Sequence, residues 1–214
     1  MPNHITSIIT FDGPEEKVKE LKNKVTTKKS IFDFNRIIPM PEELNITDNS
    51  NTEFFSKLEK YRLLDLAHIF RKECEKLEGT SFKSDAITGL LHYLNYGYVS
   101  WYDWSIENWG TERNSFEIEY INDNQVTFQT AWEFPKPIIQ KLSELYPELT
   151  IIAEYYSEDF GYNLGSCTFK EGILIDGGAL ENDSQEGYAL LWKICPYAED
   201  CLEKIDGKFI RKYE

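Results

Sequence analysis

Little in this sequence invites a membrane or metal-centred reading. No apolar run approaches the ~18 residues needed to cross a bilayer. The opening Met1-Pro2-Asn3-His4 has neither the basic nor the apolar zone of an export signal. Histidine is scarce, three in 214 residues, so side chains that titrate near neutrality are few. The four cysteines, Cys74, Cys167, Cys195 and Cys201, contain no C-x-x-C pair. The spacing of Cys195 and Cys201 fits neither a zinc knuckle nor a thioredoxin-like motif. Reduced thiols acting as small apolar residues in a cytoplasmic protein are expected instead. Positive charge is in deficit: 23 Lys and Arg face 37 Asp and Glu, a net charge of −14. Nucleic-acid binding draws much of its affinity from cations that neutralise phosphates, so the balance argues against such a partner. The densest basic stretch, Lys17, Lys19, Lys22, Lys24, Lys28 and Lys29, is interrupted by Glu15, Glu16 and Glu20 and reads as a solvated helix face.

What is present is a globular composition, 41% hydrophobic and 28% charged, with aromatics high at 14%. The β-branched run His4 to Phe11 reads as a first strand, stopped by Asp12-Gly13-Pro14. Val18, Leu21 and Val25 recur at helical spacing, which places a helix over 14–26. Residues 31–38 read as a second strand ending at Pro39-Met40-Pro41. The pattern then changes. Leu63, Leu66, Ala67, Phe70, Cys74 and Leu77 predict a helix within 52–77, capped by Asn51 or Thr52 and ended by Gly79. Ile87, Leu90, Leu91 and Leu94 form the apolar stripe of another, starting near Ser84 and ending near Gly97.

The β pattern returns as a hairpin, Phe116 to Ile121 and Val126 to Trp132, about the turn Asn122-Asp123-Asn124. Pro135-Lys136-Pro137 opens a helix carrying Ile138, Ile139, Leu142 and Leu145. Strands follow over 149–156, 162–169 and 173–175, then a linker over 176–186 and a terminal helix over 187–205 that Pro196 bends or splits. This order predicts α+β: a ferredoxin-like antiparallel sheet with helices on one face and a mainly helical insertion. The expected domains are 1–44 with 111–176, the insertion 45–110, and a C-terminal linker and helix, 177–214.

The segment from Gly97 to Thr111 holds three of the five tryptophans, Trp101, Trp104 and Trp109. Each buried aromatic is worth roughly 2–3 kcal/mol, so this stretch is either a structural plug or an aromatic-lined pocket with Asp103, Glu107 and Asn108 as polar contacts. The candidate ligand-binding residues are Trp101, Asp103, Trp104, Asn108, Trp109, Thr130 and Trp132. Asn108 is the most informative, since a buried amide among indoles braces the turn at Gly110 or faces a ligand.

Several motifs occur in a fixed order: Met1-Pro2-Asn3 before a strand, Pro39-Met40-Pro41-Glu42-Glu43-Leu44, Trp101-Tyr102-Asp103-Trp104, Glu107-Asn108-Trp109-Gly110-Thr111, Thr130-Ala131-Trp132, and a helix reading Ile139 to Pro147. Together they resemble the YubB-type ferredoxin-like family of bacterial plasmid, phage and host proteins, over residues 1 to about 176. The resemblance implies a ferredoxin-like domain without an iron–sulfur cluster, and no established activity. The sequence departs from that pattern after Thr111, where Glu112 and Arg113 stand in place of the family's frequent Lys.

Catalytic signatures are absent. No serine sits in G-x-S-x-G, no H-E-x-x-H occurs, and Gly177-Gly178 lacks the rest of a phosphate loop. His68 and His92, with Glu73 or Asp65, could form a metal site only without a recognisable spacing; no metal or other cofactor is expected. Asp103 and Glu107, i and i+4 on a helix, could act as acid and base if one were buried. The sequence therefore favours a binding or adaptor protein of mobile-element type, engaging a protein or small molecule through an aromatic groove. The alternatives are an acidic decoy for a nucleic-acid-binding defence protein, and a carboxylate-dependent enzyme.

Overall fold

The computed structural model describes residues 3–46 and 82–212. The chain divides into two compact units, Met1–Ile38 with Asn108–Glu214, and Pro39–Glu107.

The first unit opens with β1 (His4–Asp12), which buries every second residue: Ile5, Ser7, Ile9 and Phe11. At Gly13, φ is +155°, and a Cβ there would lie 2.7 Å from the Leu149 side chain, so only glycine lets the chain turn this close. Helix α1 (Glu15–Val25) buries Val18, Leu21 and Val25, with Glu15 and Glu16 at its positive end and Lys22 and Lys24 at its negative end. The chain passes through α2 (Phe82–Tyr96) and α3 (Trp101–Trp109), then returns as the hairpin β2 (Phe116–Asn122) and β3 (Gln125–Ala131). Helix α4 (Lys136–Leu145), β4 (Thr150–Ser157), β5 (Gly165–Lys170) and β6 (Ile173–Ala179) follow.

The sheet order is β2-β3-β1-β4-β5-β6, with every neighbouring pair antiparallel. The sequence β1-α1-β2-β3-α4-β4 in the spatial order β2-β3-β1-β4 is the ferredoxin-like arrangement, extended past β4 by two strands. The helices' stripes and the buried residues of the central strands form one core, in which Leu21, Ile138, Ile139, Leu142, Val126, Phe128, Ile151 and Phe169 are wholly buried.

The strand expected at residues 31–38 does not form. Residues Phe34–Arg36 make a 3₁₀ turn instead. Side chains supply the hydrogen bonds that a strand ladder would have supplied. Asp33 Oδ1 accepts from the Asn35 backbone N–H (3.0 Å) and from Asn114 Nδ2 (2.7 Å). Asn114 Oδ1 accepts from the Phe34 N–H (2.9 Å), and the Ser115 hydroxyl donates to the Phe32 carbonyl. Phe32 and Phe34 are both wholly buried, with ring centroids 5.0 and 5.8 Å from that of Phe128. The apolar run fills the core, and the second strand of the ferredoxin-like motif is β2, some eighty residues later.

The C-terminal region also differs from expectation. The expected linker is strand as far as Ala179, because β6 keeps pairing with β5 to the Gly165–Ala179 register position. Helix α5 (Gln185–Ile194) is capped by the Ser184 hydroxyl, which accepts from the Gly187 N–H at 3.0 Å. The split at Pro196 is present, followed by α6 (Ala198–Cys201). The helix does not reach residue 205: β7 (Leu202–Ile205) and β8 (Lys208–Arg211) form a hairpin around Asp206-Gly207. Both turn residues have positive φ, +50° and +80°, as a primed hairpin turn requires. Tyr156, Leu164, Tyr188, Leu191, Cys195 and Leu202 form a second core. Tyr156 points away from Tyr155 along β4, and Lys193 Nζ reaches Glu154 Oε1 at 2.6 Å, so α5 covers the opposite face of the sheet at β4. Cys167, Cys195 and Cys201 are free thiols.

In the second unit, Leu44 is wholly buried at the start of a short 3₁₀ turn, Leu44–Ile46. Gly97 ends α2 with φ +79°, its N–H bonded to the Tyr93 carbonyl at 2.8 Å. Leu91 and Leu94, expected on an apolar stripe, are each 53% exposed; the side chains of Ile87 and Leu90 lie outside the described set. The helix expected within 52–77 also lies outside the described residues.

One buried polar group stands out. The Ser7 hydroxyl is wholly buried on the core face of β1 without a hydrogen-bond partner among the described residues. Removing it costs no hydrogen bond, so Ser7→Ala should leave stability unchanged or raise it by up to ~1 kcal/mol in urea unfolding. Phe128→Ala, which empties the centre of the phenylalanine cluster, should lose about 3–5 kcal/mol in the same experiment.

Candidate binding surface at the end of the sheet

β3 ends in the run Thr130-Ala131-Trp132, and the backbone turns sharply there. Trp132 has φ +69°, a left-handed conformation that costs an L residue roughly 1–2 kcal/mol. Its surroundings hold it in place. The Trp132 N–H donates to the Asn3 carbonyl (2.8 Å), and its own carbonyl accepts from Asn163 Nδ2 (2.9 Å). The wholly buried Thr130 donates through Oγ1 to the Glu133 carbonyl (2.8 Å), and Thr111 Oγ1 donates to the Ala131 carbonyl (2.7 Å). The indole Nε1–H donates to Glu112 Oε2 (3.0 Å). The residue is nevertheless 45% exposed. A large aromatic with every polar group tied down is thus ordered while still exposed.

Carboxylates surround it. Glu112, largely covered, also accepts from Arg113 Nε at 3.0 Å. Glu133 Oε2 accepts from Asn163 Nδ2 at 3.3 Å. Asn163 has φ +44°, and its loop carries the part-exposed Tyr162. That loop is tied to the segment before α5 by Asn163 N–H to Asn182 Oδ1 (3.3 Å) and Asp183 N–H to the Gly161 carbonyl (2.9 Å). Asp183 in turn accepts from Tyr188 Oη (2.7 Å) and from Arg211 (3.2 Å). Hydrogen bonds from Tyr188 and then Tyr162, with Arg211 adding attraction, hold its carboxyl below the ordinary range. Burial, and then the bond to Asp183, pushes Tyr188 up to about 12.

Of the residues singled out in the sequence, Thr130 and Trp132 belong to this turn: Thr130 as a brace, Trp132 as the exposed ring. Trp109 is a plug. It is 4% exposed, donates from Nε1 to the Ile38 carbonyl (2.9 Å), and meets Phe34 edge-on at 5.9 Å. Asn108 is half-buried and already engaged. In the second unit, Trp104 is 6% exposed, and Trp101 is half-buried with its ring edge-on to Tyr102 at 5.8 Å. Asp103 accepts from Ser100 Oγ (3.2 Å), and partial burial outweighs that bond to raise its carboxyl above the usual range. His92 is buried, with Nδ1 3.3 Å from the Val99 carbonyl; His68 lies outside the described residues. Among the described residues no three His, Cys, Asp or Glu side chains converge on a metal-sized space.

The sequence reading missed Glu112, Glu133 and Asn163 as partners of Trp132. The strand expected from Tyr162 starts only at Gly165, which leaves Asn163 in the loop, and nothing local says which strand end that loop will meet.

Two measurements follow. Glycine has no left-handed penalty, so Trp132→Gly should be more stable than Trp132→Ala by about 1 kcal/mol in urea unfolding. Because Asp183 titrates lower in the folded chain than in the unfolded one, its contribution to stability is present above the unfolded value of about 3.9 and lost as pH falls through the folded value. The thermal midpoint of Asp183→Asn should therefore fall less steeply than that of the wild type as pH is lowered below ~4.

Residues 116–200 match the family model described as "Ferredoxin-like domain in Api92-like protein". No curated protein matches the chain. Among solved structures, a crystal structure of a protein api92 from Yersinia pseudotuberculosis is similar at 8% identity and a TM-score of 0.43, over 86% of this chain and 100% of its own. The family match runs on through α5 into α6, so it includes part of the tail that the sequence resemblance left outside. From the start of β2 to residue 200, then, this chain is similar to the ferredoxin-like domain of Api92-like proteins.

Proposed function

We propose that this is a binding protein that takes a positively charged segment of another protein on the exposed face of Trp132, with Glu112 and Glu133 as charge partners. The observation that carries this reading is the Trp132 turn itself: a strained backbone whose polar groups are all satisfied internally, leaving the ring in solvent. An indole face attracts guanidinium and ammonium groups. A contact already ordered before binding loses little entropy when a partner arrives. The net charge of −14 adds long-range attraction for a cationic partner. Resemblance to the YubB-type proteins of plasmids and phages is compatible with a partner encoded elsewhere, and the Api92-like description names no activity. The enzyme reading rests on the raised carboxyl of Asp103 alone and has less support.

The test is titration with a fluorescent Arg- and Lys-rich peptide at low and moderate salt. The wild type should bind at low salt, Trp132→Ala should weaken binding at least tenfold, and Glu112→Gln should weaken it several-fold. No binding of the cationic peptide at low salt would refute the proposal. Binding that persists in Trp132→Ala and vanishes with salt would replace this site with the whole-surface acidic decoy.

A further inference from the structure

The basic stretch of α1 and the loop after it takes no part in the surface around Trp132, yet it lines two cavities. In one, of about 520 Å³, Lys19, Lys22 and Asn23 share the space with Asp12, Glu15 and the Asp123-Asn124 turn. The other, of about 460 Å³, lies between the loop carrying Lys28 and Lys29 and the start of β2 at Phe116, Glu117 and Ile118. The cavities thus sit at the two ends of one strand. β2 is an edge: among the described residues it pairs with β3 alone. Its register against β3 shifts between Phe116 and Glu119 and again between Tyr120 and Asn122, so each cavity lies beside a shift. Such bulges re-aim side chains.

Between the cavities, Lys22 Nζ stands 4.1 Å from the centre of the Tyr120 ring and donates to the Asp123 carbonyl at 3.2 Å. Lys22 is therefore held by neutral groups. Lys17, by contrast, is paired with Glu20 and Glu148. Among the described residues Lys19, Lys28 and Lys29 have no carboxylate within ion-pair distance. The two cavities differ in sign. Three carboxylates face two lysines in the first, and two lysines face only Glu117 in the second.

We infer that the edge of β2 accepts an extended peptide as an added strand, with an acidic side chain toward Lys28 and Lys29 and a basic one toward Asp12 and Asp123. Strand addition supplies main-chain hydrogen bonds along an open edge, and cavities beside that edge select side chains. At ~3.3 Å per residue the strand from Ile118 to Asp123 is about 17 Å long, so the two charged side chains lie roughly five residues apart in the peptide. The site is separate from the Trp132 turn.

The probe is a ten-residue peptide alternating valine and threonine, with two glutamates near one end and two lysines near the other. The wild type should bind it, and amide exchange in β2 should slow on binding. The double variant Lys28→Glu with Lys29→Glu should bind at least tenfold more weakly, and so should the wild type with a peptide whose glutamates are replaced by glutamine. Both lysines are exposed, so the variant should keep the wild-type far-UV circular dichroism and melting temperature. Absence of binding, binding without slowed exchange in β2, or full affinity in the double variant would each overturn the inference.

Discussion

Two points on the chain must be held side by side for this protein to exist as it does. The polypeptide leaves the first unit after Ile38 and returns at Asn108. Exit and re-entry are locked together by few groups. Asn114 accepts from Phe34 and donates to Asp33, Ser115 donates to the Phe32 carbonyl, and Trp109 donates to the Ile38 carbonyl. The rings of Phe32, Phe34, Phe128 and Trp109 pack behind them. Closing a long loop costs only slowly more as the loop lengthens, so a closure of this strength tolerates a long excursion between α1 and β2. A polar clamp backed by aromatic rings keeps the interrupted ferredoxin-like motif continuous in space.

The same clamp shapes the chemistry at the surface. Re-entry through Thr111 and Glu112 places a hydroxyl on the Ala131 carbonyl and a carboxylate on the Trp132 indole. The left-handed turn at Trp132 is thus fixed from three sides: by the re-entering chain, by Asn3 before β1, and by Asn163 after β4. Strain of this size persists only where neighbours over-determine it. Here the neighbours come from parts of the sequence far apart, and the outcome is an aromatic face in water amid carboxylates. At the other margin, β2 is an edge because β3 pairs with β1, so among the described residues the lysines of α1 and of the loop after it lie beside a strand paired on one side only.

How much was legible in advance depended on where a residue's partners lie. Val18, Leu21 and Val25 announced their helix through spacing, and the hairpin about Asp123-Asn124 announced itself through alternation and turn chemistry. Phe32 and Phe34 misled, because two large apolar residues separated by one are equally compatible with one face of a strand and with two rings dropped into a core. Partners eighty or more positions away, the Asn114 amide, the Ser115 hydroxyl and the Phe128 ring, decide between them. Residues 202–205 misled in the other direction. Their helical reading overlooked Asp206-Gly207, whose positive φ values fold the chain into a hairpin. Among the tryptophans, composition could not separate a buried ring from an exposed one: Trp109 is sealed by a carbonyl and Phe34, whereas Trp132 is turned outward by its backbone.

By itself the sequence determined the α+β class, the antiparallel sheet, the acidic charge and the two covering helices, since periodicity and composition are local quantities that each segment carries with it. The tertiary structure alone decided which strand completes the ferredoxin-like motif, which tryptophan is exposed, and which strands stand at the two ends of the sheet order. Those outcomes rest on hydrogen bonds and ring contacts between segments distant in the chain, and no pattern within either segment encodes its partner.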